Sequence, residues 1–147
     1  MRLLFDSSAL LNIIRVRKQN AYGLLKGNLT LSLTKYEIGN ALWKEALLLG
    51  RISFEEASEA LSLLDKVLEI MEIVYPKRSN LAFRLAFDLQ VTYYDASYVA
   101  ASIENDAKLV TSDVKLARRI EEKMGIVNKV LGRKPEILLS DEIISSL

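Results

Sequence analysis

The 147-residue chain contains no histidine and no cysteine. Without cysteine it can form neither a disulfide bond nor a thiolate metal site. Without histidine it cannot be a hydrolase with a Ser-His-Asp triad, a ribonuclease that uses two histidines, or an ordinary zinc enzyme. Any catalysis must therefore use carboxylates, lysine, tyrosine or hydroxyl groups, and a group of Asp and Glu side chains would suit Mg²⁺ or Mn²⁺.

Long apolar runs and an excess of one charge are also missing. No apolar stretch approaches the ~20 residues of a membrane helix, and the start of the chain lacks the small-residue cleavage site of a secretory signal. We therefore expect a cytoplasmic protein with no membrane partner. The formal net charge is +1, which by itself does not indicate nucleic-acid binding.

The remaining composition is that of an ordinary globular protein. Half of the residues are hydrophobic, and a chain of this length can bury a substantial core. Short segments that read as strands, such as 2–5, 29–33 and 107–111, alternate with stretches of helical periodicity. This alternation is typical of an α/β fold with a mainly parallel sheet. We predict a single domain over residues 1–147, without internal repeats or linkers.

Four acidic residues stand where a predicted strand gives way to a helix. They are Asp6, Glu37, Asp95 and Asp113. Asp95 and Asp113 are each predicted to begin a helix, and Glu37 to lie in the first turn of one. In a parallel sheet the carboxyl ends of the strands lie along one edge, where ligands usually bind. We therefore predict that the four acids converge at this edge.

Each acid also has an alternative interpretation as a helix cap. Asp is a favoured N-cap residue worth ~1 kcal/mol, and Thr34 and Glu37 have the spacing of a capping box. For one acid alone, capping is the stronger interpretation. Asp95 favours a shared site, because it lies in the apolar and aromatic stretch YYDASYVAA. An unpaired charge is costly there, and a shared cation would relieve that cost.

Four stretches carry a resemblance to a known family. They are LLFDSSALL, TKYEIGNALWK, YYDASYVAASI and KLVTSD. In this order and at these separations they resemble the PIN domain and, more narrowly, the VapC-type toxins of toxin–antitoxin pairs. The resemblance extends over about residues 3–117 and implies a three-layer α/β/α PIN-like fold with a mainly parallel central sheet. It also implies cleavage of single-stranded RNA with Mg²⁺ or Mn²⁺. The residues that match the family's acidic quartet, as catalytic groups and metal ligands, are Asp6, Glu37, Asp95 and Asp113.

The resemblance implies roles for further residues near the acids. Ser7 matches a hydroxyl that holds a metal-bound water or a phosphate, and Thr111 matches a hydroxyl that orients a carboxylate. Asn40 falls on the same helix face as Glu37 and is either a cleft residue or a helix-surface amide. Leu116 stands where certain PIN domains carry another acid, so we expect one metal ion rather than two.

Partners follow from the same resemblance. In VapC-type toxins the helices equivalent to about residues 43–49 and 61–68 form a groove for an antitoxin helix, and the protein dimerises. We therefore expect RNA as substrate, a cognate antitoxin and a homodimer. Tyr93, Tyr94 and Tyr98, beside Asp95, are expected to pack in the core or at its rim rather than to stack on bases.

The leading hypothesis is thus a metal-dependent endoribonuclease, the toxin of a VapBC-type pair. The alternative is a non-catalytic module that retains the PIN fold to bind RNA or protein. A phosphotransferase of the haloacid-dehalogenase type is a distant third, because that family expects a second Asp where this chain has Ser8.

Overall fold

The computed structural model describes residues 1–146. Within this range the strands are β1 (Leu3–Phe5), β2 (Leu29–Leu31), β3 (Glu72–Val74), β4 (Lys108–Thr111) and β5 (Ile137–Leu139). All neighbouring pairs are parallel, and the order across the sheet is β3-β2-β1-β4-β5. The predicted strand at 29–33 is therefore shorter than expected, because Leu33 already belongs to the next helix.

Helices fill most of the connections between these strands. They are α1 (Ser7–Arg17), α2 (Tyr22–Leu25), α3 (Leu33–Trp43), α4 (Phe54–Ile70), α5 (Ser79–Leu89), α6 (Tyr93–Glu104), α7 (Val114–Glu122), α8 (Met124–Leu131) and α9 (Ser140–Ser145). A 3₁₀ turn at Lys18–Ala21 joins α1 to α2, and a π-helical segment at Lys44–Leu48 extends α3. No helix within residues 1–146 is both long and apolar enough to cross a membrane.

The core is divided by the sheet into two layers. Successive side chains of a strand point to opposite faces, so Leu4 and Leu109 pack with α5, α6, α7 and α8. Phe5 and Val110 point the other way and pack with α1, α2, α3, α4 and α9. The predicted three-layer α/β/α architecture with a parallel sheet is therefore confirmed.

The centre of the sheet is a topological switch point. Leu4 of β1 lies opposite Leu29 of β2 on one side and opposite Leu109 of β4 on the other. The chain thus leaves β1 toward one edge and later returns to its other side. Ligands of open parallel sheets bind outside the carboxyl ends of the strands at such a point, which directs attention to the residues that follow β1 and β4.

Candidate active site

Asp6 follows β1 directly and is the N-cap of α1. Its Oδ1 accepts hydrogen bonds from the Ala9 amide at 2.8 Å and from the Ser8 hydroxyl at 2.7 Å. Only 4% of the residue is exposed. Burial raises the pKa of Asp6, although hydrogen bonds from Thr111, Ala9 and Ser8 oppose the shift. Asp6 is therefore a desolvated carboxyl group held in place by its own helix and by neighbouring hydroxyls.

Asp113 occupies the equivalent position after β4 and is the N-cap of α7. Its Oδ1 accepts a hydrogen bond from the Leu116 amide at 3.0 Å, and its own amide donates to Thr111 Oγ1 at 3.0 Å. Thr111 Oγ1 lies 3.3 Å from the hydroxyl of Ser8, which donates to Asp6. The capping interpretation is confirmed for both acids, and one hydroxyl pair connects their surroundings.

Glu37 lies in the second turn of α3, not in the predicted first turn, because the helix begins at Leu33. The predicted capping box with Thr34 is wrong. The Thr34 hydroxyl is buried instead and lies 2.7 Å from the hydroxyl of Tyr98. Tyr98 donates its hydroxyl proton to Glu37 Oε1 at 2.7 Å. The direction of Glu37 is therefore set by a side chain from another helix.

Asp95 lies in the first turn of α6 but does not begin it as predicted. The helix starts at Tyr93, and the cap is Thr92, whose hydroxyl accepts a hydrogen bond from the Asp95 amide at 3.0 Å. The carboxyl group of Asp95 is therefore not used for capping. It is partly buried, in keeping with the apolar stretch in which it stands.

The four acids influence one another at the carboxyl edge of the sheet. Burial raises the pKa of Asp95 from its ordinary value of 3.8 to about 6, and repulsion from the carboxylates of Asp6, Asp113 and Glu37 contributes to this rise. In the side-chain conformations of residues 1–146, no three acids lie close enough to hold one metal ion. The oxygen donors of these four acids and the repulsion between their carboxylates fit a site for Mg²⁺ or Mn²⁺. The distances between the four side chains do not.

A cleft of about 490 Å³ opens beside Glu37. Its polar lining comes from Ser7, Ser8, Asn12, Arg15, Glu37, Ser112 and Asp141. The Asn12 amide donates to Ser140 Oγ at 2.8 Å and to Asp141 Oδ1 at 3.1 Å, and so joins α1 to α9. Sequence reasoning missed Asp141, although an acid just after a predicted strand was the signal that identified Asp6 and Asp113.

The remaining predicted residues differ in their surroundings. Ser7 lines the cleft, whereas Asn40 is exposed on α3 one turn after Glu37; their roles stay predictions. Packing is confirmed for Tyr98, which is 1% exposed. Tyr93 is 41% exposed but packs at the rim, where its ring centroid lies 6.3 Å from that of Phe83. Tyr94 is 56% exposed and does not lie in the core.

Comparison with known proteins finds relatives that are named VapC exonuclease or ribonuclease. The chain is 41% identical over 86 residues to Exonuclease VapC9 of Pyrobaculum aerophilum, an alignment that covers 58% of this chain and 62% of that protein. It is 38% identical over 91 residues to Ribonuclease VapC3 of the same organism, covering 61% and 69%. No family model matches the chain.

One solved structure is similar over nearly the whole chain. The crystal structure of PAE2754 from Pyrobaculum aerophilum superimposes with a TM-score of 0.73 at 26% sequence identity. The superposition covers 99% of this chain and 94% of that one. The fold of this chain is therefore shared with a solved protein of the same organism as the two sequence relatives.

Proposed function

Because this chain belongs to the VapC-type toxin family of PIN domains, we propose that it is an endoribonuclease that cleaves single-stranded RNA with Mg²⁺ or Mn²⁺. We further propose that it is the toxin of a VapBC-type pair. The observation that carries the proposal is the position of Asp6 and Asp113, which follow the central strands β1 and β4 at the switch point. Burial raises the pKa of Asp95, and repulsion from the carboxylates of Asp6, Asp113 and Glu37 adds to the rise, so Asp95 lies in the electrostatic field of the other three acids.

The proposed reaction requires positive charge at the carboxyl edge of the sheet. Phosphodiester hydrolysis develops negative charge on the phosphate and leaving-group oxygens, and a bound divalent cation offsets that charge and activates water. The residues that would hold the cation are Asp6, Glu37, Asp95 and Asp113. Ser8 and Thr111 donate hydrogen bonds to Asp6 and would hold its carboxyl group in place for the cation, and Ser7 and Arg15 line the adjacent cleft where the RNA would lie.

A circular RNA tests endonuclease activity directly, because an exonuclease needs an end. We expect the protein to open a circular single-stranded RNA with Mn²⁺ and not with a chelator. Asp95→Asn should abolish this cleavage. The matched control is Asp106→Asn, since Asp106 is 68% exposed in its ion pair with Arg133, at the opposite edge of the sheet. Its backbone has a φ of 51°, which Asn tolerates as well as Asp.

Other outcomes of this experiment separate the alternatives. If the protein cleaves linear RNA but not circular RNA, its activity is that of an exonuclease and not of an endonuclease. Salt-dependent RNA binding without any cleavage would favour the non-catalytic module. The wide spacing of the acids supports that alternative. Equal cleavage by Asp95→Asn and wild type would contradict the assignment of the site.

The antitoxin proposal is supported by exposed apolar residues between the end of α3 and the start of α4. Its members are Trp43, Leu47, Leu48, Leu49 and Phe54, exposed by 48%, 67%, 60%, 54% and 77%. A groove of about 1030 Å³ runs beside it and is lined by Ile14, Leu42, Ile52 and Phe54 among others. Exposed apolar surface of this kind marks interaction sites, and a helix with an apolar face would fit it.

Two exposed phenylalanines on opposite layers provide the test of this surface. Phe54→Ser should reduce copurification with the co-expressed cognate antitoxin. Phe87→Ser should not, because Phe87 lies on α5 in the other layer, where it is 74% exposed. Equal retention by both variants would contradict the assignment of the surface. Homodimerisation is checked separately by light scattering, and a strictly monomeric protein at high micromolar concentration would contradict it.

A further inference from the structure

A run of buried hydroxyl groups connects Glu37 to the end of β1. Tyr98 donates to Glu37 Oε1 at 2.7 Å, and its oxygen lies 2.7 Å from that of Thr34. Thr34 Oγ1 lies 2.7 Å from Thr30 Oγ1, and Thr30 donates to the carbonyl of Phe5 at 2.8 Å. Thr30 and Thr34 are fully buried and Tyr98 is 1% exposed, so water does not compete for the contacts among these three hydroxyls, whereas the contact with Glu37 is part-buried.

The run has three hydroxyl protons for its four oxygen–oxygen contacts. The proton of Thr30 goes to the Phe5 carbonyl and that of Tyr98 goes to Glu37. Thr34 has one proton for two neighbours, and neither neighbour has a proton to give back. Loss of the Thr34 hydroxyl would therefore leave both end contacts intact, whereas loss of the Tyr98 hydroxyl would remove the donor to Glu37.

Tyr98 also lies at a junction of the elements that carry the acids. It follows Asp95 by one turn on α6, and residues three apart lie on the same face of a helix. The far end of the run is the carbonyl of Phe5, the residue before Asp6. The segments that carry Asp6, Glu37 and Asp95 are thus tied together by a single hydroxyl run whose contact with Glu37 is made by Tyr98.

We infer that the Tyr98 hydroxyl is a positioning group, which holds the Glu37 carboxyl toward the other acids and so raises the affinity of the site for a divalent cation. This inference rests on the proposed function, because it presupposes that Glu37 is a cation ligand. Tyr98 itself touches neither cation nor RNA; it acts through Glu37. Hydrogen-bond partners of ligand side chains typically change metal affinity by about 10- to 100-fold.

The test is a Mn²⁺ titration of the whole chain, without RNA, by calorimetry. Tyr98→Phe should weaken Mn²⁺ binding by about 10-fold. Thr34→Val, the matched control from the same run, should stay within about twofold of wild type, because both end contacts keep their protons. Thermal unfolding of each variant establishes that the titrated protein is folded.

A double-mutant cycle separates positioning from a general loss of structure. If Tyr98 acts through Glu37, Tyr98→Phe should have no further effect on Mn²⁺ affinity in a Glu37→Ala background, which lacks the oxygen that accepts the Tyr98 hydroxyl proton. Wild-type affinity in Tyr98→Phe, or the same weakening in both backgrounds, would overturn the inference while leaving the cation site standing. Absence of Mn²⁺ binding by the wild type would overturn the proposed site and this inference together.

Discussion

The two halves of the candidate site are built by different means. Asp6 and Asp113 follow strands directly and accept hydrogen bonds from amides three residues ahead. Glu37 and Asp95 lie inside their helices, and the donor to Glu37 comes from a residue 61 positions away. The first half is specified by local sequence, whereas the second exists only after α3 and α6 have packed.

The prediction with the largest expected effect tests whether both halves of the candidate site serve one reaction. Asp6→Asn and Glu37→Gln should each reduce RNA cleavage by about 100-fold or more, because each removes a carboxylate from the cation's donor set. Both substitutions keep the size of the side chain, and Asn is as good a cap as Asp. Cleavage at the wild-type rate by either variant would show that its half lies outside the catalytic site.

A second expectation concerns the pH dependence of the cation-free protein. The folded state binds the Asp95 proton more tightly than the unfolded state, because the pKa of Asp95 rises from 3.8 to about 6 on folding. The contribution to stability is complete below pH 3.8 and is lost as the pH rises through about 6. With allowance for partial exposure this amounts to ~1–2 kcal/mol.

The measurement is denaturant unfolding between pH 4 and 7 in a chelator, for wild type and Asp95→Asn. The variant should lose less stability across this interval than the wild type, because it has no carboxyl group at this position. Identical profiles would mean that neither burial nor repulsion from the other acids raises the pKa of Asp95. Asp106→Asn again provides the control, since Asp106 is well exposed.

The smallest expected effect separates a cap from an acid held by tertiary contacts. Asp113→Ala should lower the free energy of unfolding by ~1 kcal/mol and Asp113→Asn by much less, because only Ala lacks an acceptor for the Leu116 amide. For Glu37, which caps no helix, any difference between replacement by Ala and by Gln should come from the acceptor of the Tyr98 hydroxyl proton and should vanish in a Tyr98→Phe background. A difference that persists without the Tyr98 hydroxyl would break the comparison.

What could be predicted from the sequence follows the same division. The strand–acid–helix junctions at Asp6 and Asp113 depend on a few adjacent residues, so both caps were accessible. The strand order was not, because it depends on which strands pair in space. The predicted strand at 29–33 ran two residues too long, and this error alone placed Glu37 in the first turn of α3 instead of the second.

Contacts between distant segments account for the other differences. Tyr98 was correctly expected to pack, but its hydroxyl partners lie on α3 and could not be read from its neighbours. Tyr93 and Tyr94 stand in the same aromatic stretch and are exposed instead. Periodicity does not distinguish a helix face that meets the sheet from one that meets solvent or a partner.

The most direct test of the account is anomalous scattering from crystals of the protein grown with Mn²⁺. We predict an anomalous peak among the carboxyl groups of Asp6, Glu37, Asp95 and Asp113, with at least three of them drawn together around it. A peak elsewhere, or no peak at saturating Mn²⁺ with the four acids still apart, would contradict the claim that the two halves form one cation site.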